Sequence, residues 1–138
     1  MQIDVSRLKD DVTETFEETV APKVLDIDTQ DIVFEGAVNI VTQVKKEFGV
    51  LRTKSHLSAK AKCICSRCLK EYYISFEKDY YFDYSTDKVQ FINPTQEVRE
   101  EVIVDYPVKF LCKQDCKGIC PKCCKDLNEG KCSCQENN

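Results

Sequence analysis

Residues 32–63, IVFEGAVNIVTQVKKEFGVLRTKSHLSAKAKC, decide the architecture. Ile32, Phe34, Val38, Ile40 and Val44 alternate with Glu35, Asn39 and Gln43. That is the period of a half-buried strand, whose successive side chains point to opposite faces. Lys46-Glu47-Phe48-Gly49 supplies a glycine-containing turn. Beyond it Leu51, Leu57, Ala59, Ala61 and Cys63 share one face, and Arg52, Lys54, His56, Lys60 and Lys62 the other. The pattern predicts an antiparallel hairpin whose second strand carries a basic outer stripe.

On the C-terminal side, a cysteine-containing turn leads into a third strand. Tyr72, Ile74, Phe76, Tyr80, Phe82 and Tyr84 are expected to face inward, with Ser75, Glu77, Asp79 and Asp83 outward. Asn93 then reads as a helix cap, with Pro94 at the first helical position and Gln96 three residues after the cap. Val98, Glu101, Val102 and Asp105 follow before Pro107 ends the segment. On the N-terminal side, residues 1–8 suggest a short strand. Residues 9–31 are acidic and ambiguous, with Phe16 and Val20 at helical spacing and Pro22 stopping any helix. No internal repeat or low-complexity linker is evident. The expected fold is α+β, mainly an antiparallel β-sheet of three long strands with one covering helix and a cysteine-rich, zinc-binding C-terminal tail. A single domain is expected over residues 1–138: sheet and helix over 1–110, and a tail over 111–138 docked on the 63–70 turn.

At 138 residues, 42% hydrophobic and 32% charged, the chain is long enough to bury a core and is neither fibrous nor disordered in composition. Met1 to Asp11 alternates apolar and charged residues without an apolar signal run. No stretch is long and apolar enough to span a bilayer. A cytoplasmic location without membrane contact is therefore expected.

Ten cysteines stand out against one histidine, His56, in a strand-like run apart from the cysteine pairs. In a reducing compartment clustered cysteines are metal ligands more often than disulfides. Their spacings are Cys65-x2-Cys68, Cys112-x3-Cys116, Cys120-x2-Cys123 and Cys132-x-Cys134. A Cys-x2-Cys turn aims two sulfurs at one ion, and two such pairs complete a tetrahedron of thiolates. The preferred partition places Cys65, Cys68, Cys112 and Cys116 around one Zn²⁺ and Cys120, Cys123, Cys132 and Cys134 around a second. Cys63 falls in phase with the inward apolar face and reads as a buried hydrophobe. The competing partition joins Cys65 and Cys68 to Cys120 and Cys123 in a single site. Four sulfurs leave no open position for water, so a catalytic zinc is not expected. A redox role for Cys65-Ser66-Arg67-Cys68 lacks the βαβ setting such motifs use. An iron–sulfur reading rests on Cys116-x3-Cys120-Pro121, which echoes the end of a ferredoxin motif, although Cys112 is one residue too far for its start; a colourless purified protein would dismiss it.

Charge is segregated along the chain. Residues 1–44 hold three basic and ten acidic side chains, net −7, and residues 45–70 hold eight basic and one acidic, net +7. Residues 71–108 return to net −6, with three basic and nine acidic, and residues 109–138 to net +2, with six and four. Every cysteine lies in a positive segment. Part of that charge offsets the thiolates, and the surplus on Arg52, Lys54, Lys60, Lys62, Arg67 and Lys70 suits a phosphate partner. Tyr72 or Tyr73 is a candidate for stacking on an unpaired base, although ordinary sheet packing is the simpler reading for Tyr72.

Cys65-Ser66-Arg67-Cys68-Leu69, followed by Leu111-Cys112-Lys113-Gln114-Asp115-Cys116-Lys117-Gly118-Ile119-Cys120-Pro121-Lys122-Cys123, resembles the bacterial YceD family of large ribosomal RNA subunit accumulation proteins. The ending Asp126-Leu127-Asn128-Glu129-Gly130-Lys131-Cys132-Ser133-Cys134 is also similar to that family's. The resemblance implies a non-enzymatic role in accumulation or processing of large-subunit (23S) ribosomal RNA and in ribosome assembly. The expected partners are ribosomal RNA or a pre-ribosomal particle, or a ribosomal protein, with no small-molecule substrate. One departure stands out: family members with this tail usually carry glycine after the second cysteine of Cys-Pro-x-Cys, and here that place is Cys124. A glycine there permits positive φ; a cysteine must either accept the strain or exchange with Cys123 as ligand. Two other functions fit the composition: a protein–protein adaptor without RNA contact, and a zinc or redox sensor.

Overall fold

The computed structural model describes residues 1–130. Strands β1 (Ile3–Asp4), β2 (Thr13–Val20), β3 (Ile32–Glu47), β4 (Val50–Ile64), β5 (Glu71–Ser85) and β6 (Phe91–Ile92) are joined by helix α1 (Pro22–Leu25) between β2 and β3 and followed by helix α2 (Pro94–Asp105). Strands β2-β3-β4-β5 form an antiparallel meander, and β1 pairs with β6 in a small second sheet. The hairpin turn is Phe48-Gly49, with φ of 51° and 74°. Positive φ at both central residues matches the right-handed twist of the strands it joins.

The inward faces of β3 and β4 follow the predicted alternation. Ile32, Phe34, Val38, Ile40, Leu57, Ala61 and Cys63 are buried together with Tyr80 of β5. The jump from Phe34 to Val38 is absorbed by an irregularity: Glu35 pairs with Lys60 and Asn39 with Ser58. Three residues on β3, 36–38, thus oppose Ala59 alone on β4, an even difference that returns the side chains to the same face. Helix α2 covers this face with Val98 and Val102, both fully buried, each stabilising the fold by roughly 1.5–3 kcal/mol. Its start is as expected: the Asn93 side chain accepts from the Gln96 backbone N–H at 3.2 Å, and Pro94 opens the helix.

The expectation of three long strands was one short. Residues 13–20, where Phe16 and Val20 suggested helical spacing, form β2, paired with β3 from Thr13–Lys45 to Val20–Val38. Glu14, Phe16, Glu18 and Val20 lie on its less exposed face. Glutamates on that face hid the alternation. Glu18 is accommodated there by the Met1 amino group at 2.9 Å and by the Thr95 hydroxyl. Burial opposes its charge, but these partners outweigh it and hold the carboxyl below the usual range. Pro22 begins α1 rather than excluding a helix. The expected strand over residues 1–8 shrinks to Ile3–Asp4 followed by a 3-10 turn, Val5–Arg7, whose Ile3, Val5 and Leu8 pack on Val44 and Leu51.

After α2 an aromatic chain leads the backbone back toward the β4–β5 turn. Phe34, Phe76, Tyr106 and Phe110 stack edge to face at centroid distances of 5.6, 6.4 and 6.0 Å. The Tyr106 hydroxyl donates to the Ile27 carbonyl at 2.6 Å, and Phe110 O accepts from Ser66 N–H at 2.7 Å. This route delivers Cys112 to the cysteine turn.

Candidate metal centre

The β4–β5 connection is a tight knuckle. Cys65 N–H donates to Lys70 O and Leu69 N–H donates to Cys65 O, both at 2.9 Å, while Leu69 takes φ of 63°. Against this turn the tail brings Cys112 and Cys116. The Sγ atoms of Cys65, Cys68, Cys112 and Cys116 all lie within 4.8 Å of one another. Cys65 and Cys116 are 3.6 Å apart, as are Cys68 and Cys112. A disulfide requires about 2.05 Å. A tetrahedron with Zn–S bonds of ~2.3 Å has edges near ~3.8 Å. The donor set therefore fits a thiophilic ion, and the cluster could hold a metal ion. Cys65, Cys68 and Cys116 are buried and Cys112 lies at the solvent edge.

The four thiols are electrostatically unequal. Burial opposes ionisation of Cys65, but backbone N–H groups of Cys68, Cys112 and Arg67 overcome it and bring the thiol down to about 6. At Cys116 the Asn128 side chain is the main influence lowering the pKa, helped by Gly118 N–H. Burial pushes Cys68 and Cys112 upward, the latter also because neighbouring thiols resist a further negative charge. Coordination to a divalent cation deprotonates a thiol outright, so an ion at the centre removes this inequality.

Around the sulfurs runs a polar belt that sequence reasoning missed. Asn128 donates from Nδ2 to Cys116 Sγ at 3.3 Å and to Asp126 Oδ1 at 2.9 Å, and accepts Lys117 N–H at 2.8 Å. Asp126 pairs with the Lys70 ammonium, which also reaches Glu129 at 3.0 Å. Arg67 Nη1 donates to Cys116 O at 2.9 Å. The turn at 126–129 thus ties both halves of the cluster together. Gly118 (φ 82°) sits where an added Cβ would meet Arg67 O at 3.3 Å, so close approach of tail to knuckle depends on glycine.

A second knuckle has the same construction. Cys120 N–H donates to Lys125 O at 2.9 Å and Cys124 N–H to Cys120 O at 2.8 Å. Cys124 has φ of 61°, matching Leu69 at 63°. The flanking pairs also correspond, Ile64 with Glu71 and Ile119 with Asp126. Ile64-Cys-x-x-Cys-x-Lys-Glu71 and Ile119-Cys-x-x-Cys-x-Lys-Asp126 are one motif used twice. This short motif corrects the expectation that the chain has no internal repeat. Cys124 keeps the left-handed conformation expected of the family's glycine, so Cys123 holds the place that Cys68 holds in the first knuckle. Cys132 and Cys134 lie outside the described residues.

The predicted basic residues divide into two groups. Arg67 and Lys70 hold the cysteine cluster's halves together. Arg52, Lys54, Lys60 and Lys62 line the outward face of β4; Lys62 approaches Glu71 at 3.9 Å and Lys54 lies 5.9 Å from the Tyr81 ring centroid. Among the described residues the side chains of Arg52 and Lys60 make no ion pair or hydrogen bond. Tyr73 faces outward and is 67% exposed, while Tyr72 packs beside Cys65, Cys68 and Cys116. Cys63 is fully buried in the sheet core, as read from its phase.

Sheet and cluster together define a small β-protein whose C-terminal segment sets two cysteines against the two of a hairpin turn. A family model described as "Large ribosomal RNA subunit accumulation protein YceD" matches residues 77–138, and that segment is similar to the family. The match begins in β5 and includes Cys112, Cys116, Cys120 and Cys123, whereas the hairpin and Cys65-x2-Cys68 precede it. The family's description implies a role in large-subunit ribosomal RNA accumulation. Comparison with curated proteins and with solved structures found no match to the chain. Among the described residues no helix is long and apolar enough to cross a membrane.

Proposed function

We propose that this chain is a non-catalytic zinc-binding factor supporting large-subunit (23S) ribosomal RNA accumulation or processing and ribosome assembly in the cytoplasm. The observation that carries this reading is the gathering of Cys65 and Cys68 with Cys112 and Cys116 from 44 or more residues away. One Zn²⁺ there acts as a cross-link that fixes the tail on the hairpin. A second Zn²⁺ is proposed on Cys120, Cys123, Cys132 and Cys134, and the repeated knuckle supports the first two of these ligands. Four thiolates saturate zinc, leaving no position for substrate or water, so the ions are structural rather than catalytic. On the proposed reading the domain spans 1–138, with the 111–138 tail docked on the 63–70 turn.

The partner proposed is ribosomal RNA within a pre-ribosomal particle, met by Arg52, Lys54, Lys60 and Lys62. Crosslinking in cells followed by sequencing tests this. Enrichment of large-subunit ribosomal RNA, weakened by charge reversal at Lys60 and Lys62, is expected. A second reading, an adaptor for a basic ribosomal protein, draws on the outward carboxylates Glu77, Asp79 and Asp83 of β5. Ribosomal proteins retained after nuclease treatment, with no RNA crosslinks, would favour it.

A further inference from the structure

Besides Tyr73, the outer face of the meander and the tip of its hairpin expose two aromatic rings near the β3–β4 turn, Tyr81 and Phe48. Phe48 is 94% exposed and adopts φ of 51° at the first position of a two-residue turn. Asn, Asp or Gly fill that position at little steric penalty, whereas a bulky residue is an outlier there. Phe48 therefore combines backbone strain with full hydration of its ring. Neither turn chemistry nor packing accounts for it. On β5, Tyr81 is 69% exposed and points away from the core.

Strand register assembles charge between these rings. Gln43, Lys54 and Tyr81 share one row across β3, β4 and β5, and Lys45, Arg52 and Asp83 share another row toward the hairpin tip. They line a shallow hollow of about 250 Å³. Three cations face one carboxylate, Asp83. Glu47, at 3.6 Å from Lys45, offsets part of the remaining charge. Lys54 lies 5.9 Å from the Tyr81 centroid, close enough to hold its ammonium beside the ring. From the Tyr81 row to the Val50–Ser85 row at the tip is about 13 Å at ~3.3 Å per residue.

We propose that Tyr81 and Phe48 are stacking platforms for unpaired bases of a single RNA strand laid over the hairpin end, with Arg52 and Lys54 meeting its phosphates. This rests on the RNA-contact reading above and adds the kind of RNA recognised. A base stacks on an exposed ring whatever its identity, while backbone charge is met by flanking cations. A duplex keeps its bases stacked inside and offers neither ring a partner. The site is therefore selective for single-stranded segments, such as loops or not-yet-paired regions of a precursor RNA.

The test is fluorescence anisotropy with labelled oligoadenylate and a matched RNA duplex, using wild type, Y81S, F48S, Y81F and a K60E/K62E double variant. Metal content and circular dichroism check that each is folded. Tighter binding to oligoadenylate than to duplex is expected. Y81S and F48S should each weaken single-strand binding on the order of tenfold, with duplex binding unchanged and Y81F close to wild type. Wild-type affinity in both Y81S and F48S, with loss confined to K60E/K62E, would overturn the stacking sites while leaving RNA contact standing. No binding of either RNA by wild type would overturn both.

Discussion

Replacing Asn128 with alanine isolates the polar belt from the sulfurs themselves. The carboxamide donates to Cys116 Sγ at 3.3 Å and to Asp126 Oδ1 at 2.9 Å, and accepts Lys117 N–H at 2.8 Å. Alanine removes all three contacts without touching a ligand. A hydrogen bond to a charged group is worth about 1.5–3 kcal/mol. Loss of an outer-shell partner typically weakens metal affinity roughly 10- to 100-fold, about 1.4–2.7 kcal/mol. The two ranges agree because the N–H···S bond is the one contact that depends on thiolate charge. Asn128→Asp should be worse than alanine, since a carboxylate would face the thiolate instead of a donor. Competition against a chromogenic zinc chelator measures both variants. The zinc affinity of Asn128→Ala should fall by one to two orders of magnitude while the sheet keeps its circular dichroism. Unchanged affinity in both variants would refute the claim that this side chain sustains the cluster.

Three other expectations come from backbone geometry and charge. Gly118→Ala places a Cβ against Arg67 O at 3.3 Å with φ of 82°; a loss of about 1–2 kcal/mol is expected in chemical denaturation of the zinc-loaded protein. Cys124→Gly relieves positive φ at a residue that the knuckle geometry leaves outside the ligand set, so metal stoichiometry by elemental analysis should not fall. A lost ion would instead make Cys124 a ligand. The Glu18 carboxyl, lowered by Thr95 and the Met1 amino group against its burial, contributes stability present above the ordinary glutamate pKa and lost as pH falls through its depressed folded value. Glu18→Gln should flatten the acid limb of melting temperature against pH, and an unaltered limb would exclude that contribution.

The hairpin, its outward basic stripe and the capped helix were legible because each obeys a single local rule: period two in β3 and β4, and Asn93-Pro94 at a helix start. Strand β2 was not, because Glu18 occupies a less exposed position that partners remote in sequence, the Met1 amino group and the Thr95 hydroxyl, make tolerable. Cysteine spacing grouped Cys65 with Cys68 and Cys112 with Cys116, and the fold brings these pairs together rather than joining the first pair to Cys120 and Cys123. The belt of Lys70, Asp126 and Asn128 was illegible for a different reason. Its members are polar residues in loops, and only the folded tail shows that Asn128 reaches sulfur while Asp126 joins it to Lys70. The eight-residue motif shared by the two knuckles was present in the letters throughout, as Ile-Cys-x-x-Cys-x-Lys followed by an acid.

The central claim is that sulfur-bound zinc fastens the tail to the hairpin turn. Native mass spectrometry of the reduced chain, with and without residues 132–138, tests it most directly. The account predicts two zinc ions in the full chain and one in the shortened chain, the remaining ion being lost when Cys65 and Cys112 are replaced together by serine. A folded protein that carries no metal in either form would contradict it.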